Sequence, residues 1–191
     1  MQASAHNPSE SPAAVSADLL RAAFRELHGP RLHGFALLLT LGDQSAAARL
    51  AADALAAGTA RMTELSHPER AAAWLRQRVV REAGHLRRAQ IARPDRRRAA
   101  LEELGVDDAA FAGLNALDLR ERAALVATAV ERLDRRDVAT IIGLDGTRLE
   151  RLVRRARRRA TSAGSSVHGE HPAGEGPLVT RIRAIARRTL S

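Results

Sequence analysis

Apolar residues recur at helical spacing along most of the chain, and no stretch of useful length alternates as a strand would. Leu20, Phe24 and Leu27, at spacings of four and three, predict a first helix from Ser16, which "HGP" at 28–30 should break. "RLHGFALLLTLG" reads as a second, largely buried helix, and "DQSAAARLAADALAAGTARM" as an alanine-rich third. "SHPERAAAWLRQRVVREAGHLRRA" reads as a fourth, with Ser66 as its cap and Pro68 in its first turn. Pro94 and the basic cluster Arg96, Arg97 and Arg98 mark a joint, which Gly105 to Gly113 extends as a weakly helical linker.

A second helical pattern starts at Leu117. Asp118 and Glu121 have capping-box spacing, and Leu119, Ala123, Val126, Val130 and Leu133 follow as one apolar stripe. Asp134 is placed to cap a short helix carrying Val138, Ile141 and Ile142. "GLDG" at 143–146 is a turn, and Asp145 can cap a last helix whose inward side is Leu149, Leu152, Val153, Ala156 and Ala160. The predicted fold is all-α, with two small helical domains at 17–92 and 115–163 joined by a linker at 93–114. Residues 1–16, rich in Ser, Pro and Ala, are expected to be disordered. Residues 164–177 read as a flexible linker, and "LVTRIRAIARRTL" within 178–191 as a basic amphipathic helix suited to docking on protein or lying near DNA.

Charge narrows the choice of partner. The 191 residues carry a formal net charge of +9, and all 31 basic residues are arginine, which favours an anionic partner. With no cysteine, disulfides, thiolate zinc sites and a cysteine nucleophile are excluded. "MQASAHNPSESPAAVS" lacks the basic start and apolar core of a secretion signal. The longest strongly apolar run, "FALLLTL" at 35–41, is far below the roughly 20 residues that span a bilayer. A soluble, cytoplasmic protein without a membrane span is therefore expected. There is no phosphate-cradling "GxxxxGK[ST]", no "GxSxG" elbow and no paired-carboxylate motif. The chain is expected not to be an enzyme, and neither catalytic residues nor a cofactor are assigned. His168 and His171 of "HGEH" sit three apart in a Gly/Pro-rich stretch with no further obvious ligand, so no metal site is assigned.

Positions 148–160 hold seven arginines and one acid. Arg148, Arg151, Arg155 and Arg158 recur every three or four residues, away from the inward side, with Arg154 among them. A helix, a tight turn and a second helix with a basic outer stripe make a helix-turn-helix, whose second helix enters the major groove. The planar guanidinium fork bonds guanine edges or clamps phosphates. Most charge runs are solvated faces, but acids are almost absent here and the run cannot balance itself. The candidate duplex contacts are Asp145, Thr147, Arg148, Arg151, Arg154, Arg155 and Arg158.

"ALDLRERAALVATAVERLDRRDVATIIGLDGTRLERLVRRARRRA" is similar, without a gap, to region four of the extracytoplasmic-function sigma factors of bacterial RNA polymerase. That family reads as a leucine–proline start, an arginine-alanine helix, "EIA..LG", then "S..TV+SRL.RAR". Leu117, Arg122, Val138, Ala139, Ile142, Gly143, Leu149, Arg155, Ala156 and Arg157 fall on matching positions. Asp145 stands where the family usually has Ser, Arg148 where it has Thr, and Leu152 where it has Arg. "LRAAFRELHGPRLHGFALLLTLGD" and "AAAWLRQRVVREAGHLRR" resemble helices of region two, with Trp74 matching a packing tryptophan. Where the family has an acidic "DAEDLVQE" stretch, this chain has "SAAARLAADA", keeping only Asp53, and the following "AAGTARMTEL" has no aromatic residue to stack on a flipped base.

The resemblance implies a promoter-recognition subunit that acts by binding. Its second domain would dock an upstream promoter element. Its first would hold core RNA polymerase through the surface bearing Arg49 and Asp53, and a downstream element through Arg76, Arg78, Arg81, Arg87 and Arg88. The partners implied are double-stranded promoter DNA, core polymerase and an anti-sigma protein. Two alternatives stay open: a sigma-like DNA-binding regulator that does not dock on polymerase, and a protein-interaction module.

Overall fold

The computed structural model describes residues 12–86 and 94–168. Every element among them is a helix: α1 (Pro12–Leu39), α2 (Gln44–Thr59), α3 (Pro68–Ala83), α4 (Pro94–Glu102), α5 (Asp108–Asn115), α6 (Leu119–Leu125), α7 (Arg135–Ile142) and α8 (Gly146–His168). The all-α fold predicted from hydrophobic spacing is the one adopted. A π-helical turn, Val126–Val130, prolongs α6.

The predicted break at "HGP" does not occur. α1 runs through Pro30, and it opens at Pro12, inside the segment expected to be disordered. An interior proline costs about 3 kcal/mol. Beyond it Leu32, Phe35, Leu38 and Leu39 are all buried, and each such side chain contributes roughly 1.5–3 kcal/mol. Continuing the helix therefore wins. The first half of α1 is different: Leu20 and Leu27, expected inside, are 58% and 59% exposed, and of that stripe Phe24 alone packs against the core. α2 is capped by Asp43, whose carboxylate accepts from the Ala46 amide at 2.9 Å. α3 starts at Pro68 with His67 in the cap position, one residue past the cap expected at Ser66.

The joint is more ordered than its composition suggests. Where a weakly helical linker was predicted, α4 and α5 form, the second capped by Asp107 through the Ala110 amide at 2.9 Å. α5 lies against α8 at backbone distance. A methyl group on Gly113 would sit 2.9 Å from the Ala160 carbonyl oxygen, and one on Gly164 2.9 Å from that of Ala109. Gly164 belongs to α8, which runs beyond the end expected at residue 163.

One buried cluster reaches from Leu32 and Phe35 of α1 through Leu75 and Val79 of α3, Leu101 of α4 and Leu114 of α5 to Ile141 of α7 and Leu149 of α8. The two predicted domains thus share a core. Polar contacts cross the same boundary. Gln77 donates to the Thr140 carbonyl at 2.9 Å. Arg76 of α3, 4% exposed, forks onto Glu131, with Nη2 to Oε1 at 2.7 Å. Arg122 donates to three carbonyls, those of Leu39 (2.6 Å), Leu117 (2.8 Å) and Leu114 (3.0 Å). Burial, with Arg97 nearby, lowers its pKa to about 10.

Candidate nucleic-acid interface

The helix-turn-helix is built from local signals that each serve a backbone need. Asp134 caps α7, accepting from the amides of Arg136 (2.7 Å) and Asp137 (3.0 Å). Val138, Ile141 and Ile142 are buried on one side of this short helix. Gly143 ends it in the left-handed region at φ 70°, ψ 41°, where a side chain is strained. Its amide and that of Leu144 both bond to the Ala139 carbonyl, at 2.9 and 3.1 Å. Asp145 then caps α8 through the Arg148 amide at 2.8 Å. Arg135 ties the two helices on the outside, meeting Glu150 Oε1 at 2.5 Å and the Gly146 carbonyl at 3.0 Å.

Burial along α8 follows the predicted stripe. Leu149, Ala156 and Ala160 are buried, and Leu152 and Val153 are half-buried. Beside that stripe, with Leu152 at the boundary, lies an open groove of about 440 Å³ lined by Leu144, Arg148, Arg151, Leu152, Arg154, Arg155 and Arg158. Five of the seven candidate contacts therefore come together. Thr147 is exposed in the first turn of α8. Asp145, besides capping, meets the Arg148 guanidinium at 3.3 Å. Among the described residues Arg151, Arg154, Arg157 and Arg158 have no carboxylate within 4.0 Å. The basic face is thus largely unneutralised.

Two arginines of α8, the candidate contact Arg155 and its neighbour Arg159, share one buried acid. Arg155 is held by the fully buried Glu121, Nε to Oε1 at 2.7 Å, and Arg159 reaches the other oxygen at 2.5 Å. Glu121 was legible as half of a capping box, which forms as predicted. Its two arginine partners lie 34 and 38 residues away, and no local spacing announces such a pairing.

The first-half candidates scatter. Arg76 points into the core at Glu131, so it is a buried joint residue and is not presented to a duplex; an apolar flank (Leu75, Val79, Val80) and a distant acid turn it inward. Arg78 is half-buried beside Glu82 at 3.9 Å, whereas Arg81 is exposed with the same acid at 3.8 Å. Arg87 and Arg88 lie outside the described residues, as do the side chains of "HGEH" and the tail at 178–191. Arg49 and Asp53 are both exposed on α2, while their neighbours Ala46 and Ala47 are buried. Trp74 packs against the core with the Arg61 guanidinium 5.9 Å from its ring centre. Among the described residues no helix is long and apolar enough to cross a membrane, and no group of three His, Asp or Glu side chains is placed to hold a metal ion.

Comparison with family models, with curated proteins and with solved structures finds no match to this chain.

Proposed function

We propose that the protein is a promoter-recognition subunit resembling an extracytoplasmic-function sigma factor, whose α7–α8 unit binds duplex DNA and whose first half engages core RNA polymerase. The observation that carries the reading is the outer face of α8: a capped, glycine-turned helix-turn-helix presenting Arg151, Arg154 and Arg158 around a groove, none of them with a carboxylate within 4.0 Å among the described residues. Two exposed residues of α2, Arg49 and Asp53, are the candidates for the polymerase contact. An anti-sigma protein is a further candidate partner, and the reading assigns no catalysis and a cytoplasmic location.

Binding should depend steeply on salt, with about −0.9 in the log–log slope for each phosphate contacted. Arg151→Ala should change sequence preference, and Arg158→Ala should weaken all duplexes alike. A flat salt slope would refute duplex binding through this face. Reconstituted transcription with core polymerase tests the whole reading: promoter-dependent transcripts are expected. Duplex binding without transcription would favour the second reading, a stand-alone helix-turn-helix regulator. The inward position of Arg76 supports that alternative, since it removes one arginine from the downstream set.

A further inference from the structure

Among the described residues, Arg155 alone is shared by the α8 groove and the buried Glu121 cluster. Glu121 is 0% exposed and sits at the third position of α6, where its Oε2 also accepts from the Asp118 amide at 3.2 Å. A carboxylate so placed has little freedom to move. It takes Arg155 at Nε, leaving the guanidinium's two Nη groups for another acceptor, and Arg155 remains 58% exposed. Arg159 is spent differently: Nη1 goes to Glu121 and Nη2 to the Ala116 carbonyl at 2.6 Å. It does not line the groove.

We propose that Glu121 is a positioning residue for the nucleic-acid interface: it pre-orients Arg155 so that its paired Nη donors clamp a backbone phosphate bidentately. The inference rests on the reading of α8 as a duplex-binding helix. The physical case is one of pre-organisation. A free arginine must be ordered when it binds, at a cost of about 0.5–1.5 kcal/mol for such a side chain. One already fixed by a buried, capped carboxylate is ordered beforehand. End-on presentation of two parallel N–H donors is the geometry that phosphate oxygens accept. Glu121 bonded to two guanidiniums still leaves the cluster net positive, so the clamp keeps its attraction for an anion.

The test must separate orientation from charge, because removing the Glu121 carboxylate alone adds a positive charge. In the full chain, Glu121→Leu with Arg159→Gln leaves the net charge as it was and, since leucine offers no acceptor to the Arg155 Nε–H, frees Arg155. The probe is a duplex selected from a randomised pool, titrated at several salt concentrations, with Arg159→Gln as control. The charge-balanced variant should bind about two- to tenfold more weakly with an unchanged salt slope. Arg155→Ala should lower both affinity and slope, the slope by about 0.9. In the Arg155→Ala background, the charge-balanced change should add nothing beyond what Arg159→Gln adds. A purely structural role would instead add its loss in both backgrounds and lower the melting temperature in step.

Wild-type affinity in the charge-balanced variant would overturn the proposal. Should that variant fail to fold, nitrogen-detected NMR of the wild-type chain without DNA decides: a slowly exchanging Arg155 Nε–H supports the assignment, and a fast one sinks it. Duplex binding with a fast-exchanging Nε–H would leave the promoter reading standing and remove only Glu121. A protected Nε–H with no duplex binding would remove the promoter reading and the phosphate clamp with it.

Discussion

Two side chains carry strain or burial that single substitutions can read. Arg132, just before the Asp134 cap, holds φ at 54°, a left-handed conformation that costs a β-carbon-bearing residue about 1 kcal/mol. Arg132→Gly should therefore raise stability by up to about 1 kcal/mol, reduced by the extra freedom glycine has when unfolded. Urea unfolding checks the sign, and a clear loss would mean that the Arg132 side chain makes a contact worth more than the strain. His28 is buried, and its pKa is lowered from the ordinary 6.5 by burial first, then by Arg76 and Arg31. The unfolded chain therefore takes up the proton more readily than the folded one. Stability from this source is complete above pH 6.5 and is lost as the pH falls through the lowered folded value. While that window is crossed the loss is at most about 1.4 kcal/mol per pH unit. Unfolding midpoints measured between pH 7.5 and 5.5 should fall further in wild type than in His28→Gln. Neither residue was legible beforehand: the sequence marks Arg132 as one more arginine, and His28 as part of a helix-breaking "HGP".

At the scale of elements, the second half of the chain was the more readable. Caps at Asp118, Asp134 and Asp145 and the glycine at 143 are local devices, satisfied by backbone amides two or three residues away or by the chain's own turn. Such signals survive in a one-dimensional text. The joint was misjudged because α4 is short and dominated by charged residues, and α5, though apolar, is only eight residues long with Gly113 inside it; what orders α5 is its close approach to α8. That contact yields a prediction. Gly113→Ala would put a methyl group 2.9 Å from the Ala160 carbonyl oxygen, a backbone atom that cannot swing aside. The gain in helix propensity is about 1 kcal/mol, but overpacking typically costs 1–3 kcal/mol or more against rigid neighbours. A net loss is expected, with α8 displaced and duplex binding weakened. A variant that unfolds at a higher urea concentration than wild type would show that α5 and α8 can part freely.

For the molecule as a whole, the ion pair between Arg76 and Glu131 links what the sequence presents as separate halves. Burial raises the pKa of Glu131, against the opposing hydrogen bond and charge of Arg76. The pair is thus held by its bidentate geometry against a desolvation cost, and half of it alone is worse than none. Arg76→Leu leaves a buried carboxyl without its partner and should cost about 3–5 kcal/mol, whereas adding Glu131→Leu should recover much of that loss. Trp74 reports on the first half and far-UV circular dichroism on all helices. Because Leu32, Leu75, Leu114, Ile141 and Leu149 belong to one buried cluster, the two signals should change together in urea for wild type and for both variants. The double variant should then unfold at a higher midpoint than Arg76→Leu, with coincident curves. Two resolved transitions would instead show that the halves fold independently, and that the shared core adds little to what each half supplies.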